Sequence, residues 1–355
     1  MIGGKRKCIG LIFGGNSNEH EVSIYSAKTV YQAFNSEINQ ESFTVKAFYI
    51  NKYGDWLDSD LSEEILNGEI KNITTKKEEI FNQKKINFLD GINFQNIDVW
   101  FPLLHGLNGE DGSIHGLLKF TKKPLVGCGI VGSALGMDKI MMKTIFSHFQ
   151  LPQVNYLVFQ NEDLNDVEVK NRLINKILKK LNFPIFVKPS NSGSSIGISK
   201  VKNESEIFQA LEKAWEIDPR ILIEEGLEVR EIECGIIGNS KLLTSELGEV
   251  KYKSDWYDYD SKYHLNNELT IPAELDSKIT KEIKEIAIES CRALNIFGFA
   301  RVDFFLERSS NQILLNEINT IPGFTKNSMF PMLWKESGLN IEQLVAKLVD
   351  ISIDL

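Results

Sequence analysis

A chain of 355 residues is long enough for two or three domains, each with its own core. With 42% apolar and 25% charged residues it has the balance of a soluble globular protein. Its net charge of −9 argues against a dedicated nucleic-acid binder or a polybasic membrane anchor.

The four cysteines, Cys8, Cys128, Cys234 and Cys291, are scattered, form no C-x-x-C and have no histidine at zinc-ligand spacing. They read as buried thiols in a reducing cytoplasm. No apolar run approaches the ~18 residues of a membrane span. Lys5, Arg6 and Lys7 precede an apolar stretch, but Ile9 to Phe13 is shorter than the roughly 7–15 residues of a signal-peptide core. A buried strand, CIGLIFGG, ending in a Gly-Gly turn is the better reading.

In chain order, NSNEHEVSIYSAKTVYQAF carries Ala27, Val30, Tyr31 and Phe34 at helical spacing, and FTVKAFYI (Phe43–Ile50) is a second strand. Residues 51–90 are polar and rich in Lys, Glu and Asn, which predicts exposed, poorly patterned excursions. IDVWFPLLHG and LVGCG are two further strands. Strand, helix, strand, helix predicts an open parallel sheet whose chemistry gathers at the strand-end loops GGNSNEHE and HGLNGEDG. Residues 132–152 read as a helix, and QVNYLVF and FPIFVKPS as strands flanking a lysine-rich helix over 171–181. A helix over 204–215 precedes the strand RILIEEGL. REIECGIIG and KLLTSELGEV form an antiparallel pair across a GNS turn. An amphipathic helix SKITKEIKEIAIESCRALN, the strands FARVDFFLE and QILLNEINT, and a last helix over 341–351 complete the chain.

Two clusters carry chemistry. Arg301 and Asp303 alternate along one apolar strand, and Glu317 and Asn319 along the next. Residues two apart share a face of a strand, so a hairpin would let Asp303, Glu317 and Asn319 converge as hard oxygen ligands suited to Mg²⁺. The plainer alternative is the polar outer face of an antiparallel sheet. The other cluster is cationic: Lys139 follows GMD at a helix start, Lys188 ends a strand, and Lys262 sits in the aromatic loop DWYDYDSKYH. Lys188 precedes the Gly/Ser loop NSGSS, the reverse of the P-loop order. Several lysines, a divalent metal and a loop of backbone N–H groups around a triphosphate make a phosphoryl-transfer site.

The chain resembles the D-alanine–D-alanine ligase family of the ATP-grasp superfamily. The resemblance rests on FGGNSNEHEVS, HGLNGEDGSIHGLL, VGCGIVGSALGMDKIMMK, VKPSNSGSSIGISKV, EEGLEVREIEC, YDYDSKY, ARVDFF and NEINTIPGFTKNSMFP, in that order across nearly the whole chain. It implies an α/β fold in three parts: a Rossmann-like parallel-sheet domain over 1–130, then two α+β domains over 131–224 and 225–355 that sandwich ATP. The implied activity is ATP-dependent joining of two D-alanines through an acyl phosphate, for cell-wall precursor synthesis. A different ATP-grasp carboxylate–amine ligase, such as a D-Ala–D-Ser ligase, is the alternative.

The resemblance also assigns roles. Glu21 holds the ammonium of the first D-alanine, with His105 beside it. Ser194 and Tyr263 hydrogen-bond with Glu21 and fasten a loop over the site. Lys139, Lys188 and Ser195 meet the nucleotide phosphates and Lys262 the γ-phosphate. Glu224, Leu227 and Glu231 contact adenine and ribose. Asp303, Glu317 and Asn319 bind two Mg²⁺ (or Mn²⁺). Arg301 and the N–H of Gly323 stabilise the oxyanion. Ser328 receives the second carboxylate, and Met329 with Phe330 shapes that subsite. Tyr263 points to an amine nucleophile. Glu225 stands where some relatives carry lysine, so no adenine contact is assigned to it. The family resemblance further implies a homodimer with K⁺ activation, while the cysteines and the net charge predict a cytoplasmic protein with no nucleic-acid or membrane partner. A dinucleotide-dependent oxidoreductase lacks its G-x-G-x-x-G here, and a non-catalytic binding protein would not gather so many ionisable groups on apolar strands.

Overall fold

A computed structural model describes residues 5–68, 85–86, 96–160, 166–193, 195–251 and 268–354. Three sheets organise them. The first is built on β1 (Lys7–Gly14), which lies parallel between β2 (Phe43–Ile50) and β5 (Val99–Pro102). β3 (Trp56–Leu57) and β4 (Lys85–Ile86) extend it antiparallel beyond β2. β1 is apolar without alternation because helices cover both faces of a parallel sheet. It ends at Gly14, whose φ of +93° and close approach to the Ile50 carbonyl admit only glycine.

The second sheet has the order β6 (Tyr156–Gln160), β9 (Arg220–Glu225), β7 (Ile185–Pro189), β8 (Ser199–Val201). The third runs β12 (Glu268–Thr270), β11 (Leu242–Lys251), β10 (Val229–Gly238), β13 (Gly298–Glu307), β14 (Ile313–Asn319). Every pairing in these two sheets is antiparallel. A cleft lies between them, lined by residues of both.

The helices are α1 (His20–Phe34), α2 (Ser59–Asn67), α3 (Ser113–Lys119), α4 (Gly129–Met137), α5 (Lys139–His148), α6 (Val167–Lys180), α7 (Ile207–Trp215), α8 (Ser277–Ala293), α9 (Met329–Glu336) and α10 (Ile341–Ile353). α10 packs back on α1, so Phe13, Phe34 and Phe101 share one core with Phe299, Phe324, Phe330 and Leu348. Phe101 and Phe299 stand 6.3 and 5.7 Å from Phe324 by ring centroids. Each such side chain contributes about 1.5–3 kcal/mol on burial. The first and third sheets are thereby tied together. α5 lends Met142 and Phe146 to the core of the third sheet, under β10 and β13.

Three sequence expectations change. The stretch at 56–67 is no exposed excursion: Trp56, Leu57, Leu61 and Leu66 are buried, and Asp58 caps α2 by accepting from the Leu61 N–H at 2.9 Å. LVGCG contributes a single parallel bridge, Trp100 to Leu125, in place of a strand. The helix over 132–152 is two helices broken at Asp138, which ends α4 and caps α5. Cys128, Cys234 and Cys291 are buried free thiols and Cys8 is half-buried. Among the described residues no helix is long and apolar enough to cross a membrane.

Candidate active site

The β13–β14 hairpin forms the carboxylate floor of the cleft. Ala300, Val302, Phe304 and Leu306 turn into the core of this sheet, which leaves Arg301 and Asp303 on the opposite, cleft side. Register places Arg301 opposite Asn319 and Asp303 opposite Glu317, with an irregularity immediately after Asp303. Arg301 forks onto Asp303, its Nε and Nη2 each donating at 2.7 Å, and Asn319 Nδ2 donates to the same carboxylate at 2.8 Å. On the neighbouring β10, Glu233 lies opposite Asp303, and its carboxylate is 2.9 Å from Arg301 Nε. Two carboxylates and an amide oxygen at facing strand positions are hard donors, and their chemistry fits Mg²⁺. Among the described residues no group of three His, Cys, Asp or Glu side chains is placed to hold a metal ion.

The opposite wall is cationic. Asp138 starts α5 by accepting from the N–H groups of Ile140 and Met141 at 3.1 Å. Lys139 follows it. Its Nζ donates to the Ser192 carbonyl at 2.6 Å and lies 3.8 Å from Glu317, bridging wall and floor. One turn later, Lys143 is buried and reaches Glu224 at 2.5 Å. Glu224 stands opposite Phe186 on β7, so Lys188, two residues on, shares its face and closes on the other Glu224 oxygen. Burial works to raise the Glu224 pKa. The charges of Lys143 and Lys188 outweigh it and hold the carboxyl at about 2. Burial opposes charge on Lys188 too, yet Glu224 raises its pKa. Desolvation wins at Lys143, which is lowered.

A cavity of about 770 Å³ joins these walls. Lys139, Lys188, Ser195, Glu224, Leu227, Glu231, Arg301, Asp303, Glu317 and Asn319 all line it, from four separate stretches of chain. Ser195 sits in the left-handed region at φ 59°, in the loop that begins at Ser190. The loop is pinned by Ser192 Oγ donating to the Ile196 carbonyl at 2.7 Å and by Asn191 N donating to Asp218 at 2.9 Å.

Other expected residues fall elsewhere. Glu21 lies outside the cavity lining, largely exposed, 3.6 Å from Lys52. Glu19, which precedes α1, lines the cavity, its carboxylate beside Gly193 and Gly106. His105 is buried, its Nε2 2.9 Å from Ser26 Oγ and its Nδ1 2.8 Å from the Ile321 carbonyl. Gly323 lies against Ser328 Oγ, which is 2.7 Å from Thr325 Oγ1. Met329 is buried against Val250 and Leu333. Glu225 accepts from Asn155 and Asn182 at 2.8 and 2.6 Å. Ser194, Lys262 and Tyr263 lie outside the described residues.

Sequence reasoning passed over Lys143, Glu233, Glu19 and Glu110. Glu110 accepts from the N–H groups of Gly106 and Ile321, at 2.9 and 3.0 Å, and so ties two site loops. A signal existed for two of them. Lys143 is at i+4 from Lys139, on the same helix face, and Glu233 alternates with Glu231 along β10.

Two antiparallel sheets close on a cleft with lysines on one wall and paired carboxylates on the other, a charge pattern suited to a nucleoside triphosphate and a divalent metal. The family model described as D-ala D-ala ligase N-terminus matches residues 8–128, and the one described as D-ala D-ala ligase C-terminus matches 145–350. A D-alanine–D-alanine ligase of Prochlorococcus marinus strain MIT 9301 is 84% identical over all 355 residues of both chains. One from strain NATL2A is 48% identical over 98% of each. Among solved structures, the D-alanine–D-alanine ligase of Coxiella burnetii superimposes with a TM-score of 0.82 at 31% identity, covering 99% of this chain and 95% of that one. The VanG D-Ala:D-Ser ligase of Enterococcus faecalis also gives 0.82, at 33% identity over 98% of this chain and 100% of that one. This chain belongs to the D-alanine–D-alanine ligase family, with the ATP-grasp architecture expected from its motifs.

Proposed function

We propose that the cleft binds ATP and two D-alanines and joins them into D-alanyl-D-alanine, a building block of peptidoglycan. A carboxylate is a poor electrophile, since its charge repels nucleophiles and oxide is a bad leaving group. Transfer of the γ-phosphoryl group to the first D-alanine removes both obstacles. The amine of the second then attacks the acyl carbon, and phosphate departs with the C–O electron pair. The observation that carries this reading is the cavity shared by Lys139, Lys188, Glu224, Arg301, Asp303, Glu317 and Asn319 in a chain of this family.

Lys139, Lys188 and Ser195 take the phosphates, and Glu224, Leu227 and Glu231 the adenosine. Asp303, Glu317 and Asn319 would hold two Mg²⁺ ions, which supply charge neutralisation for the transferring phosphoryl group. Arg301, already oriented by Asp303 and Glu233, faces the developing oxyanion together with the N–H of Gly323. His105 and Ser328 border the two amino-acid subsites, and Met329 packs behind the second. At the first subsite Glu19 replaces Glu21 as the acidic group for the ammonium, because its carboxylate reaches the cavity. Ser194, Lys262 and Tyr263 keep the roles that the resemblance gives them. We also propose three working units, 1–130, 131–224 and 225–355, and a cytoplasmic homodimer activated by K⁺.

The test is phosphate release from ATP and Mg²⁺ with D-alanine, D-serine or L-alanine, and mass analysis of the product. D-alanyl-D-alanine formed one-to-one with phosphate is the expected result. A preference for a D-Ala–D-Ser product, or phosphate release indifferent to D-alanine, would overturn the reading.

A further inference from the structure

The Lys188–Glu224 pair at the cleft has a third member behind it. Lys143 projects from α5 to Glu224 Oε1 at 2.5 Å, and both side chains are only 2% exposed. It is no part of the cavity wall, whereas Lys188 and Glu224 are. Its other neighbours are the Tyr156 ring, with Nζ 5.8 Å from the centroid, and its own helix, whose Lys143 carbonyl accepts from Gln153; the Glu317 carboxylate acts on both lysines from farther off, with a smaller effect than Glu224. The knot thus holds two ammonium groups and one carboxylate.

Burying a second lysine against one carboxylate is costly, because every buried ion sheds its hydration. A bare Lys188–Glu224 pair would need no such partner to be satisfied. Its consequence for a ligand would differ, however. In a bare pair the charge of Lys188 is spent on Glu224, and the carboxylate can turn both oxygens toward it. With Lys143 holding Oε1 from behind, the carboxylate is fixed in one orientation. The excess positive charge then faces the cavity through Lys188.

We propose that Lys143 is a positioning residue for the nucleoside triphosphate: it answers the charge of Glu224 from behind, so that Lys188 and Glu224 meet the nucleotide as an oriented cation–acceptor pair with net positive charge. The inference rests on the reading of this cleft as the nucleotide site. Lys143 touches no substrate in it and works wholly through Glu224.

The test uses the full-length enzyme with Lys143→Met, Glu224→Gln and the double variant. Calorimetric titration with ATP and Mg²⁺ is set beside steady-state kinetics and thermal melting. Lys143→Met is expected to raise the Kd and KM for ATP about 10–100-fold, the scale on which groups that orient a binding side chain act. The KM for D-alanine should move less than about twofold, since the lost interaction concerns one substrate alone. In the Glu224→Gln background, adding Lys143→Met should change ATP affinity by less than about twofold, because the charge it answers is already gone. A Lys143→Met enzyme that melts earlier but keeps wild-type ATP affinity would overturn the proposal and leave Lys143 a packing residue. Effects that multiply in the double variant would also overturn it. If Lys143→Met alone fails to fold, Glu224→Gln with and without the second change still decides. A wild-type enzyme that binds no ATP would overturn the nucleotide reading beneath it, which a variant-specific result cannot do.

Discussion

The two ends of the cleft solve the same problem, charge on an apolar scaffold, in opposite ways. At the sealed end Lys143 and Lys188 share one carboxylate, Glu224, which is 2% exposed. At the open floor Arg301 and Lys139 face Glu233, Asp303 and Glu317, and the Glu317 side chain is 33% exposed. One end has cations to spare and the other carboxylates to spare. A polyanion laid between them is met directly at the first and needs divalent cations at the second. The difference is one of dielectric as well as sign. In the sealed knot Coulomb attraction is strong enough to keep Glu224 ionised against its burial, whereas charges at the floor are partly screened by water. α5 supplies a lysine to each end, one turn apart.

The hardest blow to this contrast falls on the floor. Glu317→Gln keeps the size and removes one charge from the donor set. The expected loss in kcat is roughly 10³-fold at saturating Mg²⁺, equivalent to about 4 kcal/mol of transition-state stabilisation. Circular dichroism should show an unchanged fold. A near wild-type rate would remove Glu317 from the metal set and leave the floor a polar sheet face. Arg301→Lys comes next. It retains a cation between Glu233 and Asp303 but loses the fork, and is expected to cost about 10²-fold in kcat with ATP affinity held. Should ATP affinity fall while the bound enzyme turns over normally, Arg301 belongs to nucleotide binding.

The floor was readable in the sequence and the sealed knot was not, for a physical reason. Side chains alternate along a strand, so ARVDFF and NEIN announce which residues share a face, and a short turn predicts their pairing. Lys143 carries only a weak mark, its i+4 spacing from Lys139, because a lysine on a helix is by default solvated. Its partner Glu224 lies on a strand far along the chain, brought close only by the packing of α5 against the second sheet. Local continuity also misled. Met137 and Ile140 make 132–152 look like one apolar helix, although GMDK holds the capping aspartate that divides it. The polar composition of 51–90 hid Trp56 and the capped α2, whose Asp58 and Gly68 are ordinary start and stop signals.

Another buried ionisable group sharpens the contrast by lacking a hydrogen-bond partner. His115 is 1% exposed, and neither ring nitrogen has a hydrogen-bond partner among the described residues. Burial pulls its pKa down to about 4 against the attraction of Asp111. Where Glu224 stays charged because it is paired, His115 stays neutral because it is not. The unfolded chain takes up a proton near pH 6.5 and the folded one only near 4, so stability is full above 6.5 and is lost as pH falls through that window. Between pH 7 and 5 this residue should cost about 2 kcal/mol of unfolding free energy. Urea titrations at both pH values should show that loss shrinking in His115→Gln. An unchanged pH dependence would place the acid sensitivity elsewhere.

The smallest effect concerns the helix that serves both ends. Asp138 accepts from Ile140 and Met141 N–H, from Ser190 Oγ at 2.7 Å and from Arg220 Nη1 at 2.7 Å. Burial tends to raise its pKa, yet these donors together bring it below the usual carboxylate range. Asn caps a helix about as well as Asp, whereas Ala does not. Asp138→Ala should therefore cost about 1 kcal/mol by urea unfolding, and Asp138→Asn appreciably less. The two lysines should feel the change unequally. Lys139 is the first residue of α5 and depends on the cap, while Lys143 is held a turn deeper by burial and by Glu224. Loosening the start of the helix should disturb Lys139 and its contact with Ser192 first, raising the KM for ATP a few-fold, which is under about 1 kcal/mol. If Asn and Ala lose equal stability, the ion pair to Arg220 carries the contribution and the cap does not. If the KM rises as far as it does in Lys143→Met, α5 answers as one rigid unit, and the two ends of the cleft are coupled through it.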